Sequence, residues 1–277
     1  MSKRTIHVAH SPDSDDAFMF YALAEGKIPT GRYEFVHHLD DIETLNGCAR
    51  EGVYEVTAVS IHAFAELSDR YALMNCGASM GEGYGPVLVA KDPLSAEDIK
   101  GLKVGVPGLR TSAYLALKLF EPDFEPVVIP FDRITAAVNR GDVPAGLLIH
   151  EGQLFYPDQG LHKVLDLGEW WQKETGLPLP LGGNAIRRDL GPQEIRDVSG
   201  LIEESIRYAL HHRQDALSHA LEYGRGLDWN QGERFVSMYV NERTLDYGDD
   251  GRKAVQLFLD RGHQAGLLSS SIRVEFV

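Results

Sequence analysis

The strongest constraint on the fold is a pattern that the chain repeats: an apolar strand, a polar turn-forming loop, then an apolar helix. Residues 5–10 read as a first strand. Ser11-Pro-Asp-Ser-Asp-Asp16 is dense in turn and N-cap residues, and 17–24 form a strongly apolar helix stopped near Gly26. The pattern recurs with strand 33–37 before helix 42–50, which Gly52 ends, and with strand 54–60 before residues 61–67. It recurs again with strand 102–106, loop 107–110 and helix 111–120, and with strand 126–130 before helix 133–140. Alternation of this kind builds parallel α/β units. The fold class it predicts is α/β with mostly parallel sheets.

Two stretches interrupt the pattern. Glu82-Gly-Tyr-Gly-Pro86 is too rich in glycine and proline for regular structure, and Leu177-Pro-Leu-Pro-Leu181 repeats proline. They enclose a segment with its own elements: strand 86–90, helix 94–100, the units from 102 to 150, strand 164–167 and a helical turn at 169–175. Read as crossovers, they divide the chain into a large discontinuous lobe, 1–86 with 181–277, and a small lobe, 87–180, with a cleft between them. The rest is helical: residues 195–212, 215–223, 231–239 and 251–265 carry amphipathic patterns.

Composition narrows the function. With 27 Lys and Arg against 41 Asp and Glu, the net charge is −14, and no basic run occurs, so nucleic acid and anionic membranes are not expected partners. The segment after Met1-Ser-Lys-Arg4 is too short and polar for a signal-peptide core, and no apolar run could span a bilayer; a cytoplasmic location is expected. Cys48 and Cys76 have no C-x-x-C spacing, which argues against a structural zinc or a disulfide framework. A small anionic ligand remains open, because local donors can outweigh the global field. A homodimer is the assembly the sequence allows.

The candidate chemistry sits where strands end. Ala145-Gly-Leu-Leu-Ile-His150 delivers an imidazole to a loop, and imidazole is the side chain most easily poised to move protons near neutral pH. A hydrogen-bonded histidine that merely closes a strand is the bland alternative. Ser60 stands at a strand-to-helix turn, and Thr111 and Ser112 at a helix N-terminus preceded by Pro107-Gly108; each supplies hydroxyls beside free amides, and each also reads as a plain helix cap. In open α/β sheets ligands collect outside the carboxyl ends of strands, so the junctions at 11–16, at Ser60, at 108–112 and at His150 would share one cleft.

Other motifs carry less. Gly77-Ala-Ser79-Met-Gly81 matches G-x-S-x-G, but no helix can follow it into Glu82-Gly-Tyr-Gly-Pro86, so a nucleophile elbow is rejected. Neither a Walker loop nor G-x-G-x-x-G occurs, so no nucleotide cofactor is indicated. The acids of 11–16 lack calcium-loop spacing and are explained by capping, so no metal is expected. His37-His38 and His211-His212 point apart on a strand and a helix and do not chelate, while His219 and His263 read as helix-surface residues. Trp170, Trp171 and Trp229 read as core or interface.

Dispersed along the chain are Ser11-Pro12 with Asp16 and Phe18, Asp41-Ile-Glu-Thr-Leu-Asn46, Gly83-Tyr-Gly-Pro86, Val106-Pro-Gly108, Ile149-His-Glu151, Asp166-Leu-Gly-Glu-Trp-Trp171 and Thr175-Gly-Leu-Pro-Leu-Pro-Leu-Gly182. In that order they resemble the MqnA/MqnD family of menaquinone biosynthesis, on its 1,4-dihydroxy-6-naphthoate synthase branch. The resemblance implies a two-lobed periplasmic-binding-protein-like fold with an interlobe cleft, used as a lyase without cofactor. It implies cleavage of cyclic dehypoxanthinyl futalosine to 1,4-dihydroxy-6-naphthoate and a three-carbon product in the futalosine pathway. His150 then matches the general base, and Ala58, Val59, Ser60, Thr111, Ser112 and Ala113 match residues that hold substrate, with Asn46 a further candidate. Glu151 is at most a supporting group. Chorismate dehydration, the sister activity, and solute binding without catalysis are the alternatives. One departure stands out: where the family commonly has Ser-Pro-Cys-Pro-Asn-Asp-Thr-Phe, this chain has Ser11-Pro-Asp-Ser-Asp-Asp-Ala-Phe18. Each added carboxylate near a benzoate-bearing substrate costs about 1 kcal/mol at close range in water. Either Asp13 and Asp15 face away, or the preferred substrate differs.

Overall fold

A computed structural model describes residues 3–224 and 226–277. The chain begins with β1 (Arg4–His10), α1 (Ser14–Ala24), β2 (Tyr33–Leu39), α2 (Ile42–Glu51), β3 (Val56–Ser60), α3 (Ile61–Phe64), β4 (Tyr71–Leu73) and β5 (Ser79–Gly81). It continues through β6 (Val87–Ala90), β7 (Lys103–Val106), α4 (Ser112–Phe120), β8 (Glu125–Val128), α5 (Ile134–Arg140), β9 (Ala145–Leu148), α6 (Gly152–Phe155), β10 (His162–Asp166) and α7 (Leu167–Thr175). It then returns by β11 (Leu179–Arg187) to α8 (Pro192–His211), α9 (Arg213–Leu221), α10 (Trp229–Tyr239), α11 (Glu242–Leu245) and α12 (Gly248–Gln264).

The strands form two sheets. One has the order β2-β1-β3-β11-β4, with β5 also on β11; the other has the order β10-β6-β9-β7-β8. Within each, the βα units give parallel pairs, β2-β1-β3 and β8-β7-β9. The strands that enter or leave a sheet at a crossover, β11, β6 and β10, pair antiparallel. The expectation of mostly parallel sheets holds for the repeated units, while the crossover strands β6, β10 and β11 run antiparallel to their neighbours.

Helix α1 shows why the repeat folds as it does. Asp13 caps it by accepting from the Asp16 N–H, and residues from Ser14 to Leu23 are all buried. A helix apolar on every side must be covered on every side. Here β1 lies under it, and α8, α9 and α10 close over it; Phe18, Phe20, Val198, Ile202 and Leu217 share one core. A second core runs from Leu88, Val104 and Leu147 of one sheet to Trp171, Tyr247 and Phe258, where the Trp171 indole donates to the Pro178 carbonyl at 3.1 Å. Gly146 in β9 lets α5 sit against the strand, because a Cβ there would meet the Ile134 and Val138 side chains at 2.5 and 2.8 Å.

Several local readings change. Residues 94–100 make only a 3-10 turn at Ala96–Ile99. The proline-rich stretch before 181 does not merely cross over but opens the nine-residue strand β11. The G-x-S-x-G stretch at 77–81, given no element from the sequence, contains β5. Of the two places read for Trp229, core or interface, core is excluded: it is 43% exposed at the first turn of α10, beside the Asp228 cap. His219 is not a surface residue, since its ring packs against Tyr21 and Tyr223.

Candidate functional site

Between the two sheets lies a cavity of about 110 Å³. On one side Ser11, Asp13 and Asp16 line it at the start of α1, with Ala58, Val59 and Ser60 at the end of β3 and Gly182 and Gly183 on β11. On the other side are Thr111, Ser112 and Ala113 at the start of α4, and Ile149, His150 and Gln153 after β9. The geometry brings together all four strand-to-loop junctions, because β1, β3, β7 and β9 point their carboxyl ends inward.

The hydroxyls at these junctions are already engaged. Thr111 caps α4, accepting from the Tyr114 N–H at 3.2 Å and donating to the Gly108 carbonyl at 3.0 Å. Ser112 donates to the Leu181 carbonyl at 2.5 Å and accepts from the His62 N–H, so it ties α4 to β11 and α3. Ser60 makes no cap bond; its backbone N–H donates to Asn46 Oδ1 at 2.9 Å, and Asn46 Nδ2 donates to its Oγ at 3.0 Å. Asn46 itself is fully buried behind Ser60 and does not line the cavity. Its expected place as a substrate contact is corrected to that of a support, because α2 packs beneath β3 and spends both ends of the amide on Ser60. Glu151 is buried and also stands outside the lining.

His150 is built into a strained turn. Its φ is +52°, the only positive value at a non-glycine among the described residues, and this left-handed backbone costs about 1 kcal/mol. Gln153 holds it: the amide orientation that satisfies its neighbours accepts from the His150 N–H at 3.1 Å and donates to the Gly85 carbonyl at 2.5 Å and to Tyr239 Oη at 2.6 Å. The Phe131 ring meets the imidazole edge-on at 5.0 Å between centroids. Nδ1 lies 2.9 Å from Asp13 Oδ2, with the imidazole side chain 17% exposed and that of Asp13 2%.

Around this pair sits an acidic cluster, and both Asp13 and Asp15 line the cavity rather than facing away. Burial alone would push the Asp13 carboxyl up, but the His150 charge and hydrogen bond outweigh it and hold Asp13 well below the usual carboxylate range. Asp15 goes the other way: burial, then the charges of Asp13 and Asp16, push it well above that range. Asp16 accepts from the Ser11 N–H at 2.7 Å, yet burial and Asp13 raise it to about 8. Of the three acids, Asp13 is the one its surroundings hold ionised, and burial shifts Asp15 and Asp16 toward their neutral forms.

Sequence reading missed Gln153, Tyr239 and Asn184 as cavity residues, since nothing in an amphipathic helix or a late strand marks one polar side chain as facing a cleft. It was right that His37 and His38 diverge, but each finds a partner on β1: His38 Nε2 lies 2.8 Å from His7 Nδ1, and His37 Nδ1 lies 3.1 Å from His10 Nε2. Among the described residues, Asp13, Asp15 and His150 are the set whose ligand atoms gather closely enough for a cation, within 4.8 Å of one another. Within that set, His150 Nδ1 and Asp13 Oδ2 are at hydrogen-bond distance, 2.9 Å.

Residues 6–264 match the family described as menaquinone biosynthesis. The chain belongs to that family. Within it, a Thermus thermophilus protein named 1,4-dihydroxy-6-naphthoate synthase is 41% identical over 276 residues, covering 98% of this chain and 99% of its own. A Streptomyces coelicolor protein of the same name is 36% identical over 274 residues, covering 97% and 96%. A crystal structure of an Archaeoglobus fulgidus protein superposes with a TM-score of 0.91 at 48% identity, covering 95% of this chain and 98% of that one. The alkanesulfonate-binding protein of Xanthomonas axonopodis superposes with a TM-score of 0.73 at 14% identity over the full length of both chains. The family member described here therefore has the two-lobed periplasmic-binding-protein-like fold, and its named relatives are enzymes. No described helix is long and apolar enough to cross a membrane.

Proposed function

We propose that this protein is a 1,4-dihydroxy-6-naphthoate synthase that cleaves cyclic dehypoxanthinyl futalosine by general-base carbon–carbon lyase chemistry, without a cofactor, in the cytoplasm. The observation that carries the reading is the place of His150: it lines the interlobe cavity and is held there through Nδ1, Phe131 and Gln153. A binder has no need of an imidazole fixed so closely at the cost of a left-handed backbone. His150 removes an acidic proton from the sugar-derived ring, the carbon–carbon bond breaks as the new ring aromatises, and a three-carbon product leaves. Ala58, Val59, Ala113 and the amides beside Ser60 and Thr111 hold the anionic substrate.

The acidic loop is less hostile to that substrate than its composition suggests. Burial shifts Asp15 and Asp16 toward their neutral forms, and the Asp13 charge faces His150. Residues 1–86 with 181–277 form one lobe and 87–180 the other, closing on the substrate about the two crossovers. The first crossover is packed tightly on α7: the Leu167 N–H donates to the Pro86 carbonyl at 3.0 Å, and a Cβ on Gly85 would lie 2.9 Å from the Gly168 nitrogen.

Incubating the purified protein with cyclic dehypoxanthinyl futalosine yields naphthoate by chromatography; no product from wild type refutes the proposal. His150→Ala binds substrate but loses turnover by about 10²-fold or more. Unchanged turnover removes His150 from the chemistry.

A further inference from the structure

Asp13 occupies a position that a structural cap does not require. It caps α1 through one oxygen, accepting from the Asp16 N–H at 3.4 Å, while the other, Oδ2, lies 2.9 Å from His150 Nδ1 across the cavity wall. We propose that Asp13 is the positioning residue of His150: it fixes the imidazole with its proton on Nδ1, directs Nε2 to the substrate, and stabilises the imidazolium that proton transfer creates. The proposal rests on the reading of His150 as the base and deepens it.

The chemistry follows from the hydrogen bond. A carboxylate accepts and does not donate, so the Nδ1 facing it carries the hydrogen and the neutral ring keeps its lone pair on Nε2. In the transfer, a substrate C–H bond breaks, the proton moves to Nε2 and the electron pair stays on the substrate carbon. The pair Asp13–His150 goes from one negative charge to neutral, and Asp13 itself takes no proton. The charged product of this step is thereby paired with a buried carboxylate, where an uncompensated cation would be costly.

Asp13 is the acid of the cluster suited to this part. Asp16 is committed to the Ser11 N–H, and Asp15 has one carboxyl oxygen without a partner. Asp13 is the carboxylate that lies at hydrogen-bond distance from the imidazole, and burial shifts the other two toward their neutral forms. The groups that bear on the pair are Asp15 and Asp16 of α1, His10 of β1, Glu151 in the turn after β9, and Tyr239 of α10 through Gln153. Because Asp13 is held low by His150, linkage requires that Asp13 hold the imidazolium form of His150 in equal measure.

The test is Asp13→Asn in the full chain, a change that keeps the helix cap and the shape and removes the charge. The imidazole of His150 is titrated by proton NMR without substrate, its resonance identified by its loss in His150→Gln, and kcat and KM are measured across pH 5 to 9. The expected result is a His150 midpoint lower by about one pH unit or more in the variant. The inflection in kcat shifts the same way, kcat falls by about 10²-fold with KM within about threefold, and Asp13→Glu restores part of the loss. An unmoved midpoint overturns the proposal, whether or not activity falls, because a purely structural cap would not be read by the imidazole. So does a wild-type midpoint that changes on adding EDTA and returns with Mn²⁺, which would make the three-residue cluster a cation site. The midpoint is read without substrate. A shifted midpoint without naphthoate therefore refutes the function and keeps the pair, and turnover with an unmoved midpoint does the reverse.

Discussion

Gln153→Leu is the substitution with the widest reach, because one buried amide serves three chain segments. Its nitrogen donates to the Gly85 carbonyl at the first crossover and to Tyr239 Oη on α10, and its oxygen accepts from the His150 N–H. Leucine fills the same space and leaves all three groups without that partner. Each unmade buried hydrogen bond costs about 1–3 kcal/mol. The apolar side chain returns about 1–2 kcal/mol through burial, and the cavity lets water reach the His150 N–H. The net loss is about 3 kcal/mol, which for a chain of this size lowers Tm by about 6 °C. Catalysis is hit separately: with its backbone released, the turn relaxes from φ +52°, and a displacement of the base by about 1 Å costs about 10²-fold in kcat. Equilibrium urea unfolding and scanning calorimetry measure the first effect, and naphthoate formation the second. A stability loss under about 1 kcal/mol together with unchanged kcat would refute the reasoning, since it would mean that the amide carries neither the fold nor the turn.

Two further outcomes follow from the site. Asn46→Ala removes both bonds to Ser60 and leaves a buried N–H unpaired, so stability falls by about 2–3 kcal/mol and KM rises more than kcat falls; a KM within twofold of wild type would show that Ser60 needs no support. Asp16 has a folded pKa of about 8 against an ordinary 3.8, so its contribution to stability is fully present below pH 3.8 and is lost as pH rises toward 8. The stability of wild type relative to Asp16→Asn therefore declines between pH 5 and 8. His10 and His37, depressed to about 3 and about 4, favour the fold as pH rises toward their ordinary 6.5 in both proteins and cancel in that difference. A constant difference between the two proteins would mean that Asp16 is ionised throughout.

The βα repeats were legible because an apolar run ending in cap residues leaves the backbone few alternatives, and β1 with α1, β3 and β7 with α4 lie where that pattern put them. Strands of three residues, β4 and β5, carry no period to read. β11 was hidden by its prolines, which signal a break. They are tolerated because Pro180 sits at the register shift between β11 and β5, where the ladder is already irregular, and Pro178 precedes the strand. His219 was misjudged because helix periodicity marks a polar residue as exposed, whereas its ring is shielded by aromatic side chains from α1 and from its own helix C-terminus.

At the site the residues were legible and their charges were not. His150, Ser60, Thr111 and Ser112 are found from strand ends alone, since the carboxyl ends of parallel strands must converge. The aspartates of the first loop were visible as well, but sequence could read them only as caps or as charge added against an anionic substrate. Which of them carries a proton depends on which one faces an imidazole delivered by a strand more than a hundred residues later, and only the packing of α1 against the turn after β9 determines that. Asp13 is hydrogen-bonded to His150 and is held low; His150 acts on Asp16 only weakly beside burial and the Asp13 charge, and burial shifts both Asp15 and Asp16 toward their neutral forms. Acids that composition counts as repulsion become, in the fold, one carboxylate hydrogen-bonded to an imidazole and two carboxyls that burial shifts toward their neutral forms.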